Sequence, residues 1–175
     1  MEQIIKLNDY VRYAPYGICK IQDIAVKDFS GCGKREYYIL VPVSDTESTI
    51  YVPTENKALT SKMSRVISKS ELDELILSSE DSDIHWVQDK KVRGEYFHTI
   101  LSKCNSRELL KLVRLLYLKK CELQNNGKKL SSTDESTLRQ AEKVVDKEFS
   151  FILEIPEQRV GAYIRNLLGI SEKEE

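Results

Sequence analysis

No two of the four cysteines, Cys19, Cys32, Cys104 and Cys121, stand at Cys-x-x-Cys spacing, and the two histidines, His85 and His98, fall at no zinc-like interval from them. A structural zinc site and a dithiol redox motif are thereby excluded, and the thiols read as buried or half-buried side chains. Uninterrupted apolar runs long enough to span a bilayer are missing, and Met1-Glu2-Gln3-Ile4-Ile5-Lys6 lacks the apolar segment of a secretory signal. The expected location is the cytoplasm, with no membrane partner. Catalytic signatures are equally scarce. Ser30-Gly31-Cys32-Gly33-Lys34-Arg35 has the outline of a phosphate loop, but Asp28 stands where its first glycine belongs and Arg35 replaces the hydroxyl residue that would hold magnesium. A glycine-rich hairpin turn accounts for it. There is no His-Glu-x-x-His, no nucleophile elbow and no dinucleotide fingerprint. Acidic pairs such as Asp81 and Asp83 sit in polar sequence where nothing raises a carboxyl toward acid–base use. The expectation is a non-enzymatic protein with no cofactor, no metal and no small-molecule substrate.

What the chain does have is one tryptophan at a charge boundary. From Ser68 to His85 there are six acidic side chains and one lysine, whereas from Trp86 to Lys129 there are eleven Lys or Arg against four Asp or Glu. The chain total of 27 basic and 28 acidic residues conceals this segregation. A basic stretch led by a large flat aromatic points to a polyanion, nucleic acid first, because phosphates reward clustered cations and unstacked bases reward an aromatic wedge. A lone tryptophan ordinarily packs into a core, and charge runs are ordinarily solvated helix faces. Helical extrapolation supports the other reading: Trp86, Lys90 and Arg93 fall at i, i+4 and i+7, with Lys91 beside them, apart from the stripe of Val92, Tyr96 and Ile100.

Organisation changes near residue 66. Before it, short β-rich runs at Asp9–Tyr13, Ile18–Lys27, Arg35–Val43 and Thr49–Val52 alternate with turn residues, including Ala14-Pro15-Tyr16-Gly17 and Ser30-Gly31-Cys32-Gly33. Four or five strands in this length predict a small barrel over residues 1–62, with edges and loops suited to docking a partner. Beyond it the period is helical. Ser68-x-x-Glu71, Asn105-x-x-Glu108 and Ser132-x-x-Glu135 each resemble a capping box. A further helix is expected from about Asp83 or Trp86 to Ser102, and a last from Pro156 to Leu168 with Gly169 as its exit. The expected fold class is α+β: a small N-terminal β-barrel, an all-α domain of about five helices over 68–170, and a polar tail at 171–175.

The helix from Ser106 to about Leu123 is the most informative. Leu109, Leu112, Val113 and Leu116 supply an apolar stripe that Leu110, Leu115, Tyr117 and Leu118 widen, so the helix is expected at the centre of the bundle. Its polar strip is Arg107, Lys111 and Arg114, again at i, i+4 and i+7. With Lys119, Lys120, Lys128, Lys129 and the Trp86 helix, this strip could form one positive face that binds phosphates without reading sequence. In the last helix, Val160, Tyr163, Ile164, Leu167 and Leu168 make an ordinary core-facing stripe.

Several segments together resemble the CarD/CdnL family of bacterial transcription regulators, whose N-terminal domain is similar to the polymerase-interacting domain of transcription-repair coupling factors. They are Leu7-Asn8-Asp9-Tyr10-Val11-Arg12-Tyr13-Ala14-Pro15-Tyr16-Gly17-Ile18-Cys19-Lys20-Ile21, Ile24, the turn at Gly31, Glu36-Tyr37-Tyr38-Ile39-Leu40 and Tyr51-Val52-Pro53-Thr54-Glu55-Asn56. The likeness continues through Ser64–Ser68, Trp86, Leu109–Leu116, Leu130–Glu135 and Ala141-Glu142. The resemblance implies a Tudor-like barrel that binds the β subunit of RNA polymerase and a helical domain that meets promoter DNA at the upstream edge of the melted region. It further implies that Trp86 wedges into the opened minor groove, stabilising the open complex without sequence-specific readout. Lys27 matches a basic residue on the polymerase-facing side of the barrel, and Tyr51 stands where other members carry a second one. A nucleoid-associated address, through polymerase, follows from the same resemblance. Two other readings fit the residues: a protein-interaction adaptor with no DNA contact, and an RNA-binding module stacking bases on Trp86 with Tyr96 or Phe97.

Overall fold

Turn chemistry divides the N-terminal sequence into antiparallel strands: β1 (Tyr10–Tyr13), β2 (Gly17–Lys27), β3 (Arg35–Pro42), β4 (Ile50–Pro53) and β5 (Met63–Arg65). The computed structural model describes residues 5–29, 31, 33–80 and 83–169. Gly17 takes φ +78°, the left-handed turn conformation that costs glycine nothing, and the Tyr16 N–H closes the turn on the Tyr13 carbonyl at 2.7 Å. The sheet order is β4-β3-β2-β1-β5, with β4 and β5 at its two ends and no ladder between them among the described residues. A fifth strand falls within the expected four or five, but its position was not marked: β5 is three residues long and pairs Met63, Ser64 and Arg65 with Tyr13, Arg12 and Val11.

Alternation places Val11, Tyr13, Cys19, Ile21, Leu40, Val52 and Met63 in one core. Burial pushes the Cys19 thiol up to about 11, as suits an inert packing group. A bulge between Ile21 and Asp23 resets the phase of β2. Ile24 therefore packs on the core, and Lys27 falls on the outer side of the sheet.

The chain divides at Val66 into two units, Met1–Val66 and Ile67–Glu175. After a single-turn helix α1 (Lys57–Thr60), the second unit comprises α2 (Lys69–Leu77) with a 3-10 turn at Ser78–Glu80, α3 (Lys90–Lys103), α4 (Ser106–Asn125), α5 (Ser132–Leu153) and α6 (Glu157–Leu167). Ser68 caps α2 with both arms of the capping box, and Asn105 caps α4 by accepting from the N–H groups of Arg107 and Glu108. The cap of α5 lies one residue earlier than expected. Ser131 accepts from the Asp134 N–H and donates to the Asp134 carboxylate, so Asp134 rather than Glu135 is the acidic partner.

α5, not α4, is the hub of the bundle. It packs against α2, α3, α4 and α6, burying Leu138, Ala141, Val145 and Phe149 at helical spacing. α4 buries Leu109, Leu110, Leu112 and Leu116, but Leu118 remains exposed, so its apolar stripe does not close around the helix. α6 carries the expected stripe, with Val160 buried and Tyr163, Ile164, Leu167 and Leu168 half-buried against the core.

One carboxylate in the bundle is misplaced for stability. Burial, with the neighbouring Glu142 and Glu157, pushes Asp146 up to about 6. A carboxyl raised on folding binds its proton more tightly in the native state, so stability falls as pH rises toward that value. Asp146→Asn is accordingly expected to raise the melting temperature at pH 8 and to have much less effect at pH 4. Equal shifts at both pH values would show that its charge is not the cause.

Candidate nucleic-acid interface

α3 begins at Lys90 because Asp89 caps it, its carboxylate accepting from the N–H groups of Lys91 and Val92 at 2.9 and 3.0 Å. Trp86 therefore precedes the helix, in the segment 83–89, and the helical phase expected to join it to Lys90 and Arg93 does not exist. The contact between Trp86 and Arg93 arises instead by fold-back. Arg93 turns its guanidinium toward the loop, donating from Nη1 to the Val87 and Gln88 carbonyls at 2.7 and 3.2 Å. Its Nε and Nη2 grip both oxygens of Asp134 at 2.9 and 2.8 Å.

With its edges so occupied, the planar cation lies 4.0 Å from the centre of the Trp86 ring system. Arg93 is only 4% exposed. It was expected on a phosphate-facing surface; it is a buried strut, and it leaves the set of residues that can meet DNA.

Asp134 completes the strut. Burial alone would raise its carboxyl, but hydrogen bonds from Arg93 and Ser131, and the charges of Arg93 and Lys90, outweigh burial and hold it below the ordinary carboxylate range. Trp86 is half-buried on this support. Phe97 flanks it at 6.3 Å between ring centroids, and the Lys119 ammonium lies 5.4 Å from its ring. The tryptophan packs on the core and keeps accessible surface.

Lys90 and Lys91 are exposed on the first turn of α3, and Arg107 is exposed on α4. The other two members of the α4 strip are engaged. Lys111 Nζ donates to Asp83 at 2.9 Å, and Arg114 Nη2 donates to Glu80 at 2.9 Å. The acidic stretch is therefore laid along the basic one, and the charge step of the sequence partly cancels in space. Hydrogen bonding to Lys111 keeps the Asp83 carboxyl below its usual range. Since the Asp83 and Glu80 side chains are largely exposed, these pairs open at little cost. Asp81 lies outside the described residues.

Lys119 also pairs with Glu122 at 2.8 Å, while Lys128 and Lys129 are exposed beyond the end of α4. Sequence reasoning gave no role to Asp134, whose cue was that Ser131-x-x-Asp134 caps as well as Ser132-x-x-Glu135. It grouped Lys119 with the Trp86 helix on one positive face, but did not set its ammonium over the indole ring.

On the other unit, Lys27 ends β2 directly opposite Arg35, and Tyr51 is exposed on β4. Among the described residues no three His, Cys, Asp or Glu side chains gather to hold an ion. No helix of the described residues is long and apolar enough to cross a membrane. Residues 5–67 match the CarD-like/TRCF RID domain family. No curated protein matches the chain.

Proposed function

We propose, from the premise that the N-terminal unit is a CarD-like/TRCF RID domain, that this chain is a non-enzymatic transcription regulator that stabilises promoter DNA opened by RNA polymerase. The domain match carries the reading, because an RID domain fits RNA polymerase interaction and transcription regulation. On this reading the domain, Tudor-like in fold, docks on the β subunit through its outer side, with Lys27 and Tyr51 in the contact. The helical unit meets promoter DNA without reading its sequence. Trp86 enters the edge of the melted region, where unstacking has already been supplied, and exposed Lys90, Lys91 and Arg107 meet the backbone. Such an assembly places the protein in the cytoplasm, on the nucleoid.

Three exposed cations give little affinity alone, and the docked domain makes that sufficient by raising the local concentration of the helical unit. Lys111 and Arg114 would join once phosphates displace Asp83 and Glu80, whose pairs with them are exposed and weak.

Salt dependence tests the assignment. Each phosphate neutralised contributes about 0.9 to the slope of log affinity against log salt. Lys90→Ala/Lys91→Ala is expected to reduce the slope on bubble-containing promoter DNA by about 1.8, and Glu80→Gln/Asp83→Asn to steepen it. A slope unmoved by both variants would put the phosphate face elsewhere. The Glu80 and Asp83 pairs also favour a second reading, an adaptor whose basic strip is structural; it predicts no measurable affinity for duplex, bubble or single strand.

A further inference from the structure

The outer side of the sheet carries an aromatic cluster that the bundle's chemistry does not use. In the ladders, Tyr37 lies opposite Ala25, Arg35 opposite Lys27, and Tyr51 opposite Ile39. Since Leu40 and Val52 face the core, the alternating Tyr37 and Tyr51 share the outer side with Lys27 and Arg35. Phe29, just beyond β2, folds over this surface. Its ring centre lies 5.2 Å from that of Tyr37 and 5.0 Å from that of Tyr51, both near edge-on, and the two tyrosines are 6.4 Å apart.

Each ring thus packs an edge on its neighbour, which fixes the rotamers before any partner arrives. Yet Phe29 is 44% and Tyr51 43% exposed. Rigid, half-exposed aromatics grouped in this way have the composition of an interface centre.

The cations beside them point to the partner's charge. Lys27 and Arg35 stand directly opposite on antiparallel strands, and like charges so placed destabilise a hairpin. Acidic groups on a partner would relieve that repulsion.

We infer that Phe29, Tyr37 and Tyr51 form the anchoring centre of the RNA polymerase contact, with Lys27 and Arg35 as a cationic rim, so that this chain grips polymerase by aromatic packing and uses charge for steering. The inference rests on the polymerase reading and specifies its chemistry: the complementary polymerase surface has an apolar centre edged by carboxylates. Buried aromatic anchors set the dissociation rate, whereas rim charges set the association rate and its salt dependence.

The test uses the full chain and purified RNA polymerase, with association and dissociation followed on an immobilised surface. Phe29→Ser/Tyr51→Ser is expected to weaken binding about 30-fold or more, chiefly through faster dissociation. Lys27→Ala/Arg35→Ala is expected to slow association at low salt and to cost less than about 5-fold at physiological salt. Both substituted aromatics are exposed, so melting temperatures should match the wild type; Phe29→Ser alone, expected to lose several-fold in affinity, guards against a folding defect in the pair.

Wild-type binding with Phe29→Ser/Tyr51→Ser within about twofold of it would overturn the aromatic contact while leaving the polymerase reading intact. Self-association of the chain that disappears in the same variant, with polymerase affinity unchanged, would assign the cluster to a dimer and also overturn it. Failure of the wild-type chain to bind polymerase would remove the reading itself, and the inference with it.

Discussion

Arg93→Met is expected to destabilise the helical unit by about 3–5 kcal/mol, because it strands a buried carboxylate without its partner. The arginine satisfies both oxygens of Asp134 and the carbonyls of Val87 and Gln88, and covers the face of Trp86. Methionine fills part of the volume and supplies none of these. Trp86 is the sole tryptophan, so denaturation followed by its fluorescence reports on this unit directly.

A loss of this size should move the melting temperature by more than about 10 °C and shift the native emission as the indole loses its cation. Replacing both partners, in Arg93→Met/Asp134→Leu, removes the stranded charge and should recover most of the loss. The pH dependence has a definite sign. Asp134 is depressed in the folded state, so its contribution is present above the ordinary carboxylate range and disappears as pH falls through the folded value. The gap between wild type and Arg93→Met should therefore narrow in acid. A variant that melts within about 1 kcal/mol of the wild type at neutral pH would refute the strut.

That strut marks the boundary of what the residues could reveal. Strands β1 to β4 were legible because turn residues separate them and two-residue alternation sorts their faces. β5 was not, since three residues carry no period and Met63–Arg65 pair with a strand some fifty positions earlier. Helix starts at Ser68 and Asn105 were legible from side chains that satisfy nearby N–H groups.

The start of α3 was misplaced because periodicity continues smoothly through Trp86, whereas the cap belongs to Asp89. Arg93 illustrates the deeper difficulty. At i+7 from an aromatic it reads as surface, and only a carboxylate 41 positions away makes its burial tolerable. Local spacing cannot show such a partner. The pairing of the positive strip was hidden for the same reason: Arg107, Lys111 and Arg114 are in phase, but Glu80 and Asp83 come from the preceding segment and pair with two of the three.

Trp86→Ala is expected to shorten the lifetime of polymerase–promoter open complexes about 10-fold while leaving affinity for polymerase unchanged. A wedge favours only DNA that is already unstacked, because forcing an intact step apart costs a few kcal/mol. Its removal should therefore speed collapse of the opened state and leave initial association alone. The substitution has a structural side effect, since Trp86 packs on Phe97 and covers Arg93. Some loss of stability is expected in Trp86→Ala, and shortened lifetimes alone would not separate the two causes.

Trp86→Leu separates them. Leucine keeps apolar packing on Phe97 and Arg93 but has no flat ring to fill a gap between base pairs. Under the wedge assignment, Trp86→Leu and Trp86→Ala shorten open complexes alike, and only Trp86→Ala melts appreciably lower by circular dichroism. If Trp86→Leu preserves the wild-type lifetime, the aromatic plane is not what the DNA meets. The residue would then act by holding the loop 83–89 in place, so that the exposed Lys90 and Lys91 beside it would carry the contact alone.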